Sequence, residues 1–136
     1  MFLYDFTVID APVEQVARAL DEDAAGLLQR AATGAGGDGP TEPRVGARRA
    51  RAEGSVLPVV WDGTGWPGAF VHLEGEIEAA AIDAGHTHLS VSASVERPSA
   101  VTESRGEAQR RRLETERVLR AFVTALGAGI LATVTT

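Results

Sequence analysis

The side chains able to do acid–base or metal chemistry gather in one stretch. His72, Glu74, Glu76 and Glu78 alternate with Val71, Leu73 and Ile77. On a strand, residues i and i+2 share a face, so an imidazole and three carboxylates would stand in a row. Such a row could hold a divalent cation or pass a proton. The same alternation sets it opposite the apolar residues, which must face a core, so the row reads as a solvated outer face. His86 and His88 flank Gly85 at i, i+2 and could ligate a metal with Glu74 or Glu76 across a hairpin. A third fixed ligand is not evident, so neither a metal nor another cofactor is expected.

Other chemistries are excluded by what the chain lacks. There is no cysteine, which removes disulfides, thiolate nucleophiles and cysteine-bound zinc or iron–sulfur centres. No P-loop, dinucleotide fingerprint or nucleophile elbow occurs. The glycines from Gly34 to Gly39 neither follow a strand nor open a helix, and read as linker rather than phosphate cradle. Arg48, Arg49 and Arg51 fall in a weak strand, Arg48 on one face and the other two on the opposite one. An inward arginine would need an acid or an anionic ligand; the alternative is an edge strand protected by charge.

The aromatic side chains are scarce, 5% of the chain. Trp61, Trp66 and Phe70 surround a turn rich in glycine and proline, residues 62–68. Aromatics at such a turn either cover an apolar ligand at a cavity mouth or close the end of the core. Both readings stay open at this point.

The elements that would position these groups follow from periodicity. Phe2, Tyr4, Phe6 and Val8 share one face of a first strand, Asp5 and Thr7 the other; the apolar set is expected to face inward. Asp10 as N-cap, Pro12 in the first turn and Glu14 start a helix carrying Val13, Val16, Ala17 and Leu20. Asp21, Glu22 and Asp23 interrupt it, and a second helix over residues 24–32 carries Leu27 and Leu28. Residues 33–46 form a linker expected to be mobile. Strands are predicted over 45–53 (weak), 56–61, 70–82 and 88–96, the last two forming an antiparallel hairpin around Asp83, Ala84 and Gly85. Pro98 ends that ladder. A long helix then runs over residues 106–134, with Leu119, Phe122, Val123, Leu126 and Ile130 at i, i+3, i+4, i+7 spacing. Its apolar second half, residues 121–134, is shorter than a membrane span of about 20 residues. It is expected to pack in a core, with no integral membrane segment.

Length and charge bound the rest. The 136 residues, 44% hydrophobic and 24% charged, fit one globular domain, 1–136. The formal net charge is −6, which disfavours nucleic-acid backbones as partners. Residues 1–5 have no basic region of a signal peptide and cysteine is absent, so a cytoplasmic location is expected. All basic residues are arginine, which goes with a GC-rich bacterial genome.

Two stretches carry a family resemblance. Phe6-Thr7-Val8-Ile9-Asp10-Ala11-Pro12-Val13-Glu14-Gln15-Val16 resembles the first strand and helix start of the START-like (SRPBCC) superfamily, which includes polyketide cyclases and lipid-transfer proteins. Val56-Leu57-Pro58-Val59-Val60-Trp61-Asp62, with Ala69-Phe70-Val71-His72-Leu73-Glu74-Gly75-Glu76, resembles a compact bacterial branch of it. The resemblance implies an α+β helix-grip fold. In it a curved antiparallel sheet wraps a long C-terminal helix, with two short helices after the first strand. It further implies a cavity between sheet and helix for a small apolar molecule, lipid or polyketide-like. Tyr4, Phe6, Trp61, Trp66, Phe70, Leu119, Phe122 and Leu126 are the expected ligand contacts. A cyclase or dehydratase acting on such a ligand, and a filled-core domain used for protein association, are the alternatives. No catalytic residue is assigned. The oligomeric state stays open, a homodimer included.

Overall fold

The computed structural model describes residues 1–37, 42–62, 72–96 and 104–135. Trp66, Phe70, most of the predicted 62–68 turn and Pro98 lie outside the described residues.

Alternation along the chain produces a six-stranded antiparallel sheet, curved against the C-terminal helix. Its strands are β1 (Phe2–Ile9), β2 (Arg44–Val45), β3 (Arg49–Arg51), β4 (Gly54–Asp62), β5 (His72–Asp83) and β6 (His86–Glu96). The order is β1-β6-β5-β4-β2, with β3 also on β4. β5 and β6 form the expected hairpin, Ile77 opposite Val91 and Leu73 opposite Val95.

The predicted single weak strand is two. Val59 pairs with Val45, but Val56 pairs with Arg49, so one extra residue is accommodated between them. Pro58 explains the break: it has no N–H to give the ladder and sits where strands bulge. Its carbonyl still accepts from Gly46 N at 2.9 Å. Arg48 and Arg49 point to different partners, as alternation predicts. Arg48 Nε reaches Asp21 Oδ1 at 2.6 Å, while Arg49 meets Glu76 at 2.6 Å and Arg51 meets Glu78 at 4.0 Å. All three are exposed and paired, so the charged-edge reading holds and no arginine of this strand enters the core.

α1 (Val13–Gly34) is one span with a break at Asp23, whose φ of −154° and ψ of 56° are not helical. Asp23 Oδ1 accepts from Gly26 N at 3.2 Å, capping the second segment as a helix-start aspartate does. These are the two short helices expected. The expected cap at Asp10 is corrected: Pro12 is the N-cap, without a side-chain bond, and Asp10 turns to His86 instead. The linker is also shorter than predicted. The helix continues through Gly34 and Arg44–Val45 join the sheet.

α2 (Arg105–Val134) starts on Ser104, whose hydroxyl accepts from Glu107 N at 3.2 Å. By length and composition α2 could cross a membrane, with a window of mean hydropathy 1.5, so shortness is not the argument against a span. Its apolar side has another use. Leu119, Phe122, Val123, Leu126, Gly127 and Ile130 are buried in one cluster with the inner sheet face and Leu20, Leu27 and Leu28 of α1. At Gly127 the helix comes so near β1 that a Cβ there would stand 2.7 Å from Thr7 Cγ2.

Candidate functional site

The inner face of β4 and β5 and one side of α2 leave a small enclosed space. It is lined by Leu28, Val59, Trp61, Leu73, Val91, Leu119 and Phe122, with Gly75, Glu76 and Ile77 completing the wall. Trp61 and Leu73 are cross-strand partners, and the Trp61 and Phe122 rings meet edge-on at 5.8 Å. The Glu76 carboxylate is turned outward to Arg49, so the lining side chains directed inward are apolar. The cavity measures about 20 Å³, room for one water-sized body. A wider groove of about 430 Å³ runs open along β1 and α2, between Phe2, Leu3, Leu113 and Arg120. Leu119 borders both spaces.

Among the described residues, the buried polar groups are the hydroxyls of Ser55, Thr87, Ser90 and Thr115. Thr87 donates to Ala11 O at 2.8 Å and Thr115 to Arg111 O at 2.8 Å, so both are satisfied locally. Asp5 is the acid nearest the interior. Its side chain is 16% exposed and pairs with Arg120 Nε at 3.2 Å.

The histidines stand outside this space. His72 lies 3.2 Å from Glu74 and 3.6 Å from Asp62; the hydrogen bond to Glu74, aided by Asp62, raises its pKa. His86 bridges Asp83 at 2.7 Å and Asp10 at 3.1 Å. The bond to Asp83 raises the imidazole pKa, and the same bond with the Gly85 N–H lowers that of Asp83. His88 stacks on Phe6 at 4.7 Å. Among the described residues no group of three or more such side chains is arranged to hold a metal.

The fold itself was compared with known structures. An aromatase/cyclase, Zhui from Streptomyces sp. R1128, superposes with a TM-score of 0.55 at 15% identity, over 96% of this chain and 93% of that one. A Thermus thermophilus protein gives 0.58 at 17%, over 98% and 99%. A START superfamily protein from Mycobacterium smegmatis gives 0.51 at 14%, over 97% and 98%. This chain has the START-like, helix-grip fold. At these identities the likeness extends to the fold and no further. No protein-family model and no curated protein matches the sequence.

Within this START-like frame the expected contact residues divide. Trp61, Leu119 and Phe122 come together at the enclosed cavity. Leu126 is fully buried one turn further along α2, beyond the lining. The inward facing expected of Tyr4 and Phe6 is corrected: they are exposed on the outer face, Tyr4 at the open groove, because Leu3 and Ile9 supply the inward apolar contacts of β1. Trp66 and Phe70 lie outside the described residues. Sequence reasoning does not single out Leu28, Leu73 and Val91 as site residues. The alternation of β5 and β6 and the apolar side of α1 mark them as core, and a cavity wall and a core carry the same pattern.

Proposed function

We propose that this START-like domain binds a small apolar molecule between the sheet and α2. The supporting observation is the enclosed space walled by Trp61, Leu73, Val91, Leu119 and Phe122, in a fold shared with an aromatase/cyclase and a START superfamily protein. Apolar walls with no buried titratable group among the described residues favour holding a ligand over acid–base catalysis on it. A lipid or polyketide-like body needs far more than the present volume. Entry therefore requires the Trp61–Phe122 contact to open, with Leu119 the side chain between the cavity and the outer groove. Trp66 and Phe70 are proposed to cover the ligand at the adjoining turn, and the domain is proposed to work in the cytoplasm.

The smallness of the cavity favours a second reading, in which the packed core only supports a protein-binding surface. A cyclase would need a polar group in the cavity, and the described lining supplies none. Tryptophan fluorescence separates the two readings. Titration with a hydrophobic dye or an aromatic polyketide should shift emission saturably, and Trp66→Ala should weaken binding without unfolding the domain. A flat titration, together with no small molecule co-purifying in native mass spectrometry, leaves the association reading in place.

A further inference from the structure

Phe2, Tyr4, Phe6 and Val8 are 65%, 54%, 52% and 51% exposed. They stand at i, i+2 spacing on the outer face of β1, opposite Ser94, Ser92, Ser90 and His88 of β6. The Tyr4 and Phe6 rings are 6.5 Å apart and Phe6 stacks on His88, so the row is one continuous patch. Leu113 of α2, 52% exposed, continues it past Phe2 around the sheet edge. Isolated exposed apolar residues are ordinary. Three aromatics and a valine in a row present roughly 350–450 Å², the size at which a patch marks an interaction surface.

We propose that this face binds a second copy of the chain, as a two-fold dimer centred on β1. The chemistry of the patch selects that partner. Its eight residues carry no carboxylate and no arginine. The adjoining strand β5 presents Glu74, Glu76 and Glu78 beside Ser94, Ser92 and Ser90. An anionic bilayer or a nucleic acid would meet that acidic row along one flank, and arginines only past the α2 edge, where Arg120 is already paired with Asp5. A cationic partner would find Glu76 and Glu78 already engaged by Arg49 and Arg51. An uncharged aromatic face is complementary to itself, and an isologous contact repeats one patch on both sides. The glutamate row lies on one flank only, so a two-fold axis parallel to β1 sends the two rows to opposite flanks, and this is the axis proposed. The area agrees: a stable interface takes about 800 Å² per partner. The aromatic row supplies about half of that as the charge-poor centre, and Ser92, Ser94 and the Leu113 edge belong to the rim.

The test is sedimentation equilibrium of the full chain across micromolar concentrations. The wild type should dimerise reversibly. The double variant Tyr4→Ser/Phe6→Ser should dissociate at least about ten-fold more readily, with far-UV circular dichroism and dilute melting midpoint unchanged. The pair Tyr4→Phe/Phe6→Tyr keeps the aromatic area and should keep the dimer. Amide hydrogen exchange of β1 in the wild type should slow as concentration rises, which reads the contact without any substitution. A wild type that stays monomeric overturns the proposal. So does a dimer that survives the serine pair, and so does a monomer that instead floats with neutral phosphatidylcholine vesicles.

Discussion

β1 and β6 are paired residue for residue, yet they use their two faces in opposite ways. In β6 the apolar set, Leu89, Val91, Ala93 and Val95, is buried on the inner face, and on the other face Ser94 is exposed, Ser92 and His88 are half-buried and Ser90 is covered. In β1 the bulky set faces outward, and the inner positions hold Leu3, Asp5, Thr7 and Ile9. The difference lies in what covers each strand. α2 approaches β1 so closely at Gly127 that Thr7 nearly fills the gap. A phenylalanine at position 7 would have no room there. β1 therefore takes short side chains in the middle of its inner face, and its aromatic side chains are left outside. Alternation reports that a strand has two faces; which one is covered depends on the distance of the neighbouring helix.

The sharpest way to break this contrast uses one residue type on both faces. Phe122 is buried against Trp61, and Phe122→Ala should destabilise by about 3–5 kcal/mol in urea unfolding. Phe6→Ala, measured on dilute protein, should fall within about 0.5 kcal/mol, as exposed sites do. Equal losses would dissolve the distinction between the faces.

A smaller effect tests the cause. Gly127→Val places branched carbon against Thr7 and should lower stability by about 1–3 kcal/mol, the range for overpacking. Adding Thr7→Ala should return part of that loss, since the two sites share the contact. A Gly127→Val protein as stable as the parent would mean that helix proximity does not dictate the content of the inner face.

The smallest effect lies where the two strands end, at the His86 bridge between Asp83 and Asp10. A raised His86 pKa means stabilisation fully present below its ordinary 6.5 and lost as pH rises through the raised folded value. A lowered Asp83 pKa means stabilisation present above its ordinary 3.8 and lost as pH falls through the lowered folded value. The gap in melting midpoint between the parent and His86→Gln should therefore be widest in mildly acidic buffer and narrow above neutrality. All three groups are solvent-exposed, so the gap is expected to be slight. A gap that widens with rising pH would reverse the assignment.

Much of the fold was legible in the sequence because its signals are local. The Asp23 restart, the β5–β6 hairpin and the α2 seam from Leu119 to Ile130 each rest on side chains a few positions apart. The capping pair Ser104 and Glu107 is equally local, and it moves the start of α2 one residue ahead of the Gly106 that periodicity alone suggests. The facing of β1, the split of the weak strand at Pro58 and the role of Asp10 were not legible. Each depends on a group distant in sequence: Gly127, Gly46 and His86. The site was partly legible. Trp61, Leu119 and Phe122 lie together at the cavity, where the β alternation and the i, i+3 seam of α2 put them on facing surfaces, but the volume left between them is a sum over many side chains that no periodicity records.

The pairing of β1 also bears on how the chain folds. The β4–β5 and β5–β6 ladders join neighbours in sequence and can form early. β1 joins Phe2 to Ser94 and Ile9 to Thr87, so α1 and the strands β2 to β5 must be made before its partner strand exists. Contacts of that range slow folding, and apolar strands kept waiting are prone to wrong associations. The aromatic row of β1 is made before β6 and waits for it. Until β6 follows, the strand's unpaired backbone edge is open to the wrong partner.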